Sequence, residues 1–482
     1  MEYLKKYALP ISLCLILLSL IFPSNMMSLL VIVIIGVIFL VNPKQGLLFL
    51  IIYFPIRPFL QELNESSKYL GDFIVILLFL RSLLYWIRNR HQMKRESIFI
   101  IGFLAFCLIG SISALITGVS IIAIIFQLRA YLITFLLIFI VSSLNLTKKD
   151  VYSFLWTTVI MAVIISLHGI VEKVSLRTWL LPESWVNMEI SETNRMRIYG
   201  LIGNPNVLAV YLAMAFVVTL YLKTISLKYR YWLNAASIII FGVFLLTYSR
   251  GTLISFSIGM VVYLLLSKNW KIIKPLVISI VLCLPLIYYP VVAMTDYVEG
   301  QKYSDSQHNR DQEKNIETKP TEKKDDFSKR LTEAFDKETI QMSTEWGRLY
   351  LVKLGFKIFM DYPIIGTGFG TYGDSASLNY PSPIYEKYRI TTNIYTDNQY
   401  IQVITQTGTL GVISFAVFVL GMVFALWKKR KNINFATPLI AILVGSFVAG
   451  MFYNIWEDKT FTLYFYMILG YTIKEVYWKK TS

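Results

Sequence analysis

The chain has 482 residues, 56% of them hydrophobic and only 16% charged, with a mean hydropathy of +0.57. A soluble globular protein is about a quarter charged, so the composition excludes a string of soluble domains and puts the chain in a bilayer. The net charge of +16 would suit nucleic acid only if the positive residues gathered on one solvated face.

In chain order, Lys5 and Lys6 followed by apolar residues 7–22 have the outline of a signal peptide. No small-residue cleavage site follows and a second apolar run starts at Met26, so the segment reads as a retained first span. A membrane helix needs about 20 mostly apolar residues. On that measure spans are predicted at 7–22, 26–41, 46–60, 70–87, 97–117, 120–142, 151–171, 203–222, 231–248, 251–267, 272–294, 406–427, 435–453 and 459–477. The third is the weakest, because Pro55 and Pro58 interrupt it with Arg57 between them, and it is expected to be broken or half-spanning.

The loops alternate in charge. Those on one side, from Lys5/Lys6 through Arg88–Arg95, Lys223–Arg230 and Lys428–Lys431 to Lys474–Lys480, hold 22 basic residues against four acidic ones. Short cytoplasmic loops hold an excess of Lys and Arg, so the net charge is topology and no nucleic-acid partner is expected. The expectation is a multi-pass protein of the cell membrane with both termini cytoplasmic: an all-α polytopic protein of about 12–14 transmembrane helices with one large external loop.

The predicted organisation is N-terminal spans over 1–171, a smaller external loop over 172–202, spans over 203–294 including the turn Ser249-Arg250-Gly251, a large external loop over 295–405, and C-terminal spans over 406–482. Within the large loop, 301–345 is dense in charge and amide and reads as a disordered spacer. Residues 346–361 mix Trp346, Leu349, Tyr350 and Leu354 with Arg348, Lys353 and Lys357 at helical spacing, and Pro363 ends the pattern.

Cys14, Cys107 and Cys283 lie inside apolar runs, and His91, His168 and His308 are far apart, so neither a disulfide framework nor a metal site is predicted. There is no Walker A sequence. Gly368-Phe-Gly370-Thr-Tyr-Gly373 matches the dinucleotide fingerprint, but the strand, helix and later acid that give that fingerprint meaning are missing. An anion-binding turn and a plain tight turn remain the alternatives there. No cofactor is expected.

Ionised residues in or beside a membrane are costly and are functional candidates, although arginines near helix ends also snorkel to the headgroups. Arg195, Arg197, Arg250 and Arg348 all fall on the predicted external side. Planar guanidinium groups suit a diphosphate, because they bind phosphate oxygens in pairs and stay charged at any working pH.

Four ordered motifs then resemble a known family. Gly203-Asn204-Pro205-Asn206 opens a span, Ser249-Arg250-Gly251 joins two, Pro363-x-x-Gly366-x-Gly368-x-Gly370 lies in the long loop, and Asp397-Asn398-x-Tyr400-x-Gln402 precedes Gly408-x-x-Gly411. Over about residues 195–415 this set resembles the O-antigen ligase and Wzy-type polymerase superfamily. The resemblance implies a GT-C-like, metal-independent glycosyltransferase whose donor is a glycan on undecaprenyl diphosphate. It assigns Arg197 and Arg250 to the diphosphate and matches Arg348 to an arginine of the loop helix. With Arg195, it also places Asn204, Asn206, Asn398, Gln402, Gly366 and Gly368 around the substrate. Asp397 stands where many ligases have a histidine, so either the carboxylate is the base or the base lies elsewhere. Glu172, Glu189, Glu192 and His168 are the fallbacks.

Three functions follow from these residues. One is a polymerase of lipid-linked repeat units, for a capsule, an exopolysaccharide or a teichuronic-acid-like polymer. A flippase and a chain-length regulator of the same pathway would be its partners. The others are a ligase that moves a finished glycan to lipid or protein, and a transporter or flippase. Abundant Ile, Lys and Asn suit a low-GC Gram-positive source without a lipid A core, which favours the polymerase. The crowding of polar residues into the C-terminal half argues against the matched halves of a transporter.

Overall fold

The computed structural model describes residues 2–88, 98–310, 347–431 and 435–477. Among these there is no strand, only an isolated bridge between Gly373 and Tyr395. The protein is an all-α polytopic membrane protein. Among the described residues ten helices are long and apolar enough to span a membrane, and three shorter apolar helices cover Tyr7–Ile21, Asn25–Val41 and Ala436–Ala449.

The helices in order are α1 (Glu2–Ile21), α2 (Asn25–Val41), α3 (Pro43–Leu63), α4 (Leu70–Arg88), α5 (Ile98–Thr117), α6 (Ile121–Ser143) and α7 (Lys148–Val174). Two single turns, α8 (Glu183–Val186) and α9 (Glu192–Arg195), precede α10 (Pro205–Ile225), α11 (Arg230–Leu246), α12 (Arg250–Ser267), α13 (Ile273–Cys283) and α14 (Tyr289–Arg310). After the undescribed residues come α15 (Arg348–Asp361), α16 (Ser375–Asn379), α17 (Tyr385–Tyr388), α18 (Gln399–Lys429), α19 (Ala436–Ala449) and α20 (Lys459–Tyr477). Of the spacer predicted over 301–345, residues 301–310 are helical, as the end of α14, and the rest lies outside the described residues.

The third span differs from expectation: α3 is one helix from Pro43 to Leu63 with Pro55 and Pro58 inside it. Proline costs a helix one hydrogen bond and a clash. Here Leu47, Phe49, Leu50, Tyr53 and Phe54 are buried, and that packing outweighs the local preference.

The chain divides into two compact units. The first comprises Met1–Thr157, Arg250–Trp270 and Tyr350–Ser482. In it α5 lies along α18, α12 along α19, and α20 along α6. Small residues set these close approaches, as is usual where lipid supplies no hydrophobic force between helices. A Cβ on Gly102 would stand 2.6 Å from Phe418 N, and one on Gly470 2.7 Å from Ile138 O. The second unit comprises Thr158–Ser249 and Lys271–Leu349. There α10 packs on α11 and α11 on α13, with Gly242 against Ile287.

Candidate active site

In the first unit the site region is built by splicing a loop into a broken helix. Gly408 interrupts α18 with φ 58° and ψ −163°, so the helical bonds across it fail. The loop replaces them on both sides. Thr409 N donates to Pro363 O at 2.8 Å and Leu410 N to Ile364 O at 3.0 Å. In return Thr367 N donates to Thr405 O at 3.1 Å and Gly368 N to Gln406 O at 2.7 Å. Non-helical backbone at membrane depth is tolerated where protein satisfies its polar groups, and here it does.

The glycine run serves this insertion. A Cβ on Gly368 would meet Ala114 N at 2.0 Å, and one on Gly366 would meet Gln406 C at 2.4 Å. Phe369, fully buried, sits against Phe106 and Tyr131 and donates its N–H to Gly110 O. The N–H groups of Gly366, Gly368, Phe369 and Gly370 are all spent inside the protein. Of the two alternatives left open by the sequence, the turn is therefore structural and offers none of these donors to an anion.

Beyond the turn, Asp374 caps α16 by accepting from Gly370 N and Ser377 N, each at 2.7 Å. Burial pushes its carboxyl pKa up. Glu457, in the turn between α19 and α20, ties the region together. Its Oε1 accepts from Gln127 at 2.8 Å, Tyr131 at 3.2 Å and Gln402, and its Oε2 accepts from Ser375 N at 3.0 Å and from the Ser375 hydroxyl. Burial and then the nearby Asp374 charge push the Glu457 pKa up to about 7. Gln402, expected beside the substrate, is wholly buried in this network. The sequence reading missed Glu457; its only signal was three ionisable residues in a row, Glu457-Asp458-Lys459, before an apolar run.

Asp397 precedes α18 in the left-handed region, at φ 47°, a conformation Asp tolerates better than most residues. Its neighbour Asn398 is the helix cap, accepting from Tyr400 N and Ile401 N at 3.1 Å. The Asp397 carboxylate lies near Tyr395 and Tyr453, as do those of Glu457 and Asp458. Burial and then these charges hold both phenols well above their usual range. Asp458 Oδ2 and Asn454 Oδ1 are buried acceptors with no hydrogen-bond partner among the described residues.

The turn Gly450–Tyr453 is met from two directions. Gln399 N donates to Gly450 O at 2.8 Å at the start of α18, and Gly251 is so close to Phe452 that a Cβ would stand 2.5 Å from its ring. Arg250, exposed, is the first residue of α12 beside that contact. Arg250 and Asp397 thus flank one turn. On the other side of the glycine run, Ser113, Thr117, Tyr362, Pro363, Ile384 and Lys387 line a cleft of about 500 Å³.

In the second unit Arg197 is fixed by three bonds: Nε to Thr247 O at 2.8 Å, Nη1 to Asn194 Oδ1 at 3.2 Å, and Nη2 to Asn206 Oδ1 at 2.6 Å. Asn206 also accepts from the Ser249 hydroxyl at 3.1 Å. Asn204 caps α10 through Asn206 N and Val207 N. Glu172 pairs with Arg177 and accepts from Gly200 N at 2.6 Å and Tyr199 N at 3.2 Å, so this fallback base anchors the loop that carries Arg197. Another fallback, His168, bonds Leu180 O through Nε2 at 2.9 Å. Arg195, Arg348 and Glu189 are exposed. The side chain of Glu192 lies outside the described residues.

Residues 235–416 match a family model described as O-Antigen ligase, a segment that includes Arg250, Arg348, Gly366, Gly368, Asp397, Asn398 and Gln402 but not Arg195, Arg197, Asn204 or Asn206. No curated protein matches the sequence. The matched segment, which contains the loop spliced into α18, is thus similar to the O-antigen ligase family of membrane enzymes.

Proposed function

We propose that the protein polymerises oligosaccharide repeat units carried on undecaprenyl diphosphate, at the external face of the cell membrane and without a metal ion. The acceptor hydroxyl oxygen attacks the anomeric carbon of the donor sugar. As that C–O bond forms, the bond from the anomeric carbon to the diphosphate oxygen breaks, and its electron pair leaves with the lipid diphosphate. Fixed cations outside bulk water favour the charge that develops on the leaving oxygen; Arg250 and Arg197 are the residues assigned to it. The hydroxyl proton passes to the Asp397 carboxylate as general base.

The observation that supports this reading best is that Arg250 and Asp397, a cation and a carboxylate, flank the same turn, Gly450–Tyr453, within one unit. A residue held by its surroundings in a sparsely populated backbone region suits a site whose geometry is prepared before substrate arrives. The test is a deletion strain. Single repeat units should accumulate on the lipid carrier and disappear on complementation. Accumulation of full-length polymer on the carrier would instead make the protein a ligase, and an unlinked effect on carrier flipping would make it a transporter.

A further inference from the structure

A second group of charges in the first unit is not used by that mechanism. Lys459 Nζ, at the start of α20, lies 2.7 and 2.9 Å from the two oxygens of Asp72 on α4. Arg129 of α6 reaches the same carboxylate only at 3.6 Å. Arg57 of α3 donates to Lys68 O at 3.0 Å and is close enough to Lys459 to act on its charge. Lys459 and Arg129 thus share one carboxylate with Arg57 close by, and Nε of both Arg57 and Arg129 is buried with no hydrogen-bond partner among the described residues.

Elementary costs make this arrangement informative. An ionised side chain within a membrane helix is costly, and the single Asp72 carboxylate can offset the charge of only one of these cations. Snorkelling is the ordinary escape, but Arg129 is eight residues into α6, about 12 Å from its start at 1.5 Å per residue. The side chains are not sealed: Arg129 keeps 27% of its side-chain surface and Lys459 12%. The group also lies at the loop end of the unit, since Gln127, two residues before Arg129, accepts from Ala376 N and donates to Glu457.

We propose that Arg57, Arg129 and Lys459 bind the phosphate headgroup of a lipid-linked diphosphate, at a site separate from the arginines assigned to the leaving group. A diphosphate would neutralise the excess of two positive charges and supply acceptors for both orphaned Nε groups. A polymerase joins two lipid-linked units, so it needs a second headgroup site for the acceptor; the identity of the occupant as acceptor rests on the polymerase reading.

The test uses the full chain in nanodiscs, titrated with farnesyl diphosphate and separately with inorganic pyrophosphate. Arg129→Gln and Arg57→Gln should each weaken farnesyl diphosphate binding at least tenfold, and Arg129→Lys less. Neither glutamine variant should lower the melting temperature of the unliganded protein much, because the Asp72–Lys459 pair remains. Unchanged binding in both glutamine variants overturns the proposal. Pyrophosphate binding as tightly as farnesyl diphosphate, with the same dependence on Arg129, overturns the lipid assignment in favour of a free phosphate. Loss of binding in these variants stands for the site even if the deletion strain shows no polymerisation defect, so the two readings can fail separately.

Discussion

Gln127 Nε2 donates to Glu457 Oε1 at 2.8 Å across 330 residues of sequence, and through this bond α6 and the α19–α20 turn hold the loop that carries Ser375. Every partner of that carboxylate donates to it, and the two glutamines cannot simply turn over. Gln127 Oε1 already accepts from Ala376 N, and Gln402 Oε1 from Gln399. Glu457→Gln would therefore set an amide N–H against donors, at a cost of about 1–3 kcal/mol. A lower melting temperature in detergent at pH 7 is the expected result; a variant as stable as the wild type removes Glu457 from its central place.

The same residue gives a pH dependence of defined sign. Its carboxyl titrates near 7 in the folded protein against 4.5 ordinarily, because burial disfavours the charge. Between those values the unfolded chain ionises first, so folding stability falls as pH rises from 4.5 to about 7 and is level above that. Asp458, also raised to about 7 by burial, contributes in the same direction. In Glu457→Gln the decline between pH 5 and 7 should be shallower than in the wild type. Parallel curves for the two proteins would assign the slope to Asp458 and other groups.

The spans were legible because an apolar run of about 20 residues has one economical conformation in lipid, and each predicted span contains a helix. Motif residues were legible as positions, but the bonds they make were not. Asn204 and Asn398 cap helices, and Gly366 and Gly368 are packed against backbone. Glu457 escaped notice because Gln127, Ser375 and Gln402 lie 330, 82 and 55 residues from it. Pairing at that separation leaves no local pattern.

Gly368 separates packing from binding. Its φ is +93° and a Cβ would overlap the Ala114 backbone, so Gly368→Ala combines overpacking with backbone strain, roughly 2–5 kcal/mol in all. Loss of folded protein from the membrane is expected, measured by expression and detergent melting. A well-folded variant whose only defect is a weaker affinity for donor would make Gly368 a substrate contact.

Topology is open to a direct check. Reporter fusions at 90, 225 and 430 should report the cytoplasm and those at 185 and 320 the exterior, from the charge alternation of the loops. A cytoplasmic signal at 320 would put the large loop on the wrong side for the proposed reaction and end that reading.

The arginines test the electrostatic part of the mechanism. Arg250→Ala and Arg197→Ala should abolish polymer while leaving protein in the membrane, a loss of at least about 10²-fold by analogy with removal of one preorganised donor. Lysine at either position should restore activity only in part, because a point charge lacks the paired donors of guanidinium. Arg197 is already oriented by Asn206 and Thr247, so Asn206→Ala should lower activity as well. Full activity of Arg250→Ala would reduce that residue to an interfacial anchor.

Asp397 tests the chemistry. Its left-handed backbone is one that asparagine also tolerates, and the capping of α18 belongs to Asn398. Asp397→Asn therefore preserves both shape and helix start while removing the ability to accept a proton. Turnover should fall at least about 10²-fold, the lower range for a general base, with donor binding and melting temperature near those of the wild type. Asp397→Gly, which frees the backbone but also lacks the carboxylate, should be equally inactive; a role in backbone geometry alone would leave the glycine variant active. Near-normal polymer from Asp397→Asn would move the base elsewhere, and Asp458, whose Oδ2 is a buried acceptor without a hydrogen-bond partner among the described residues, is the next carboxylate to replace.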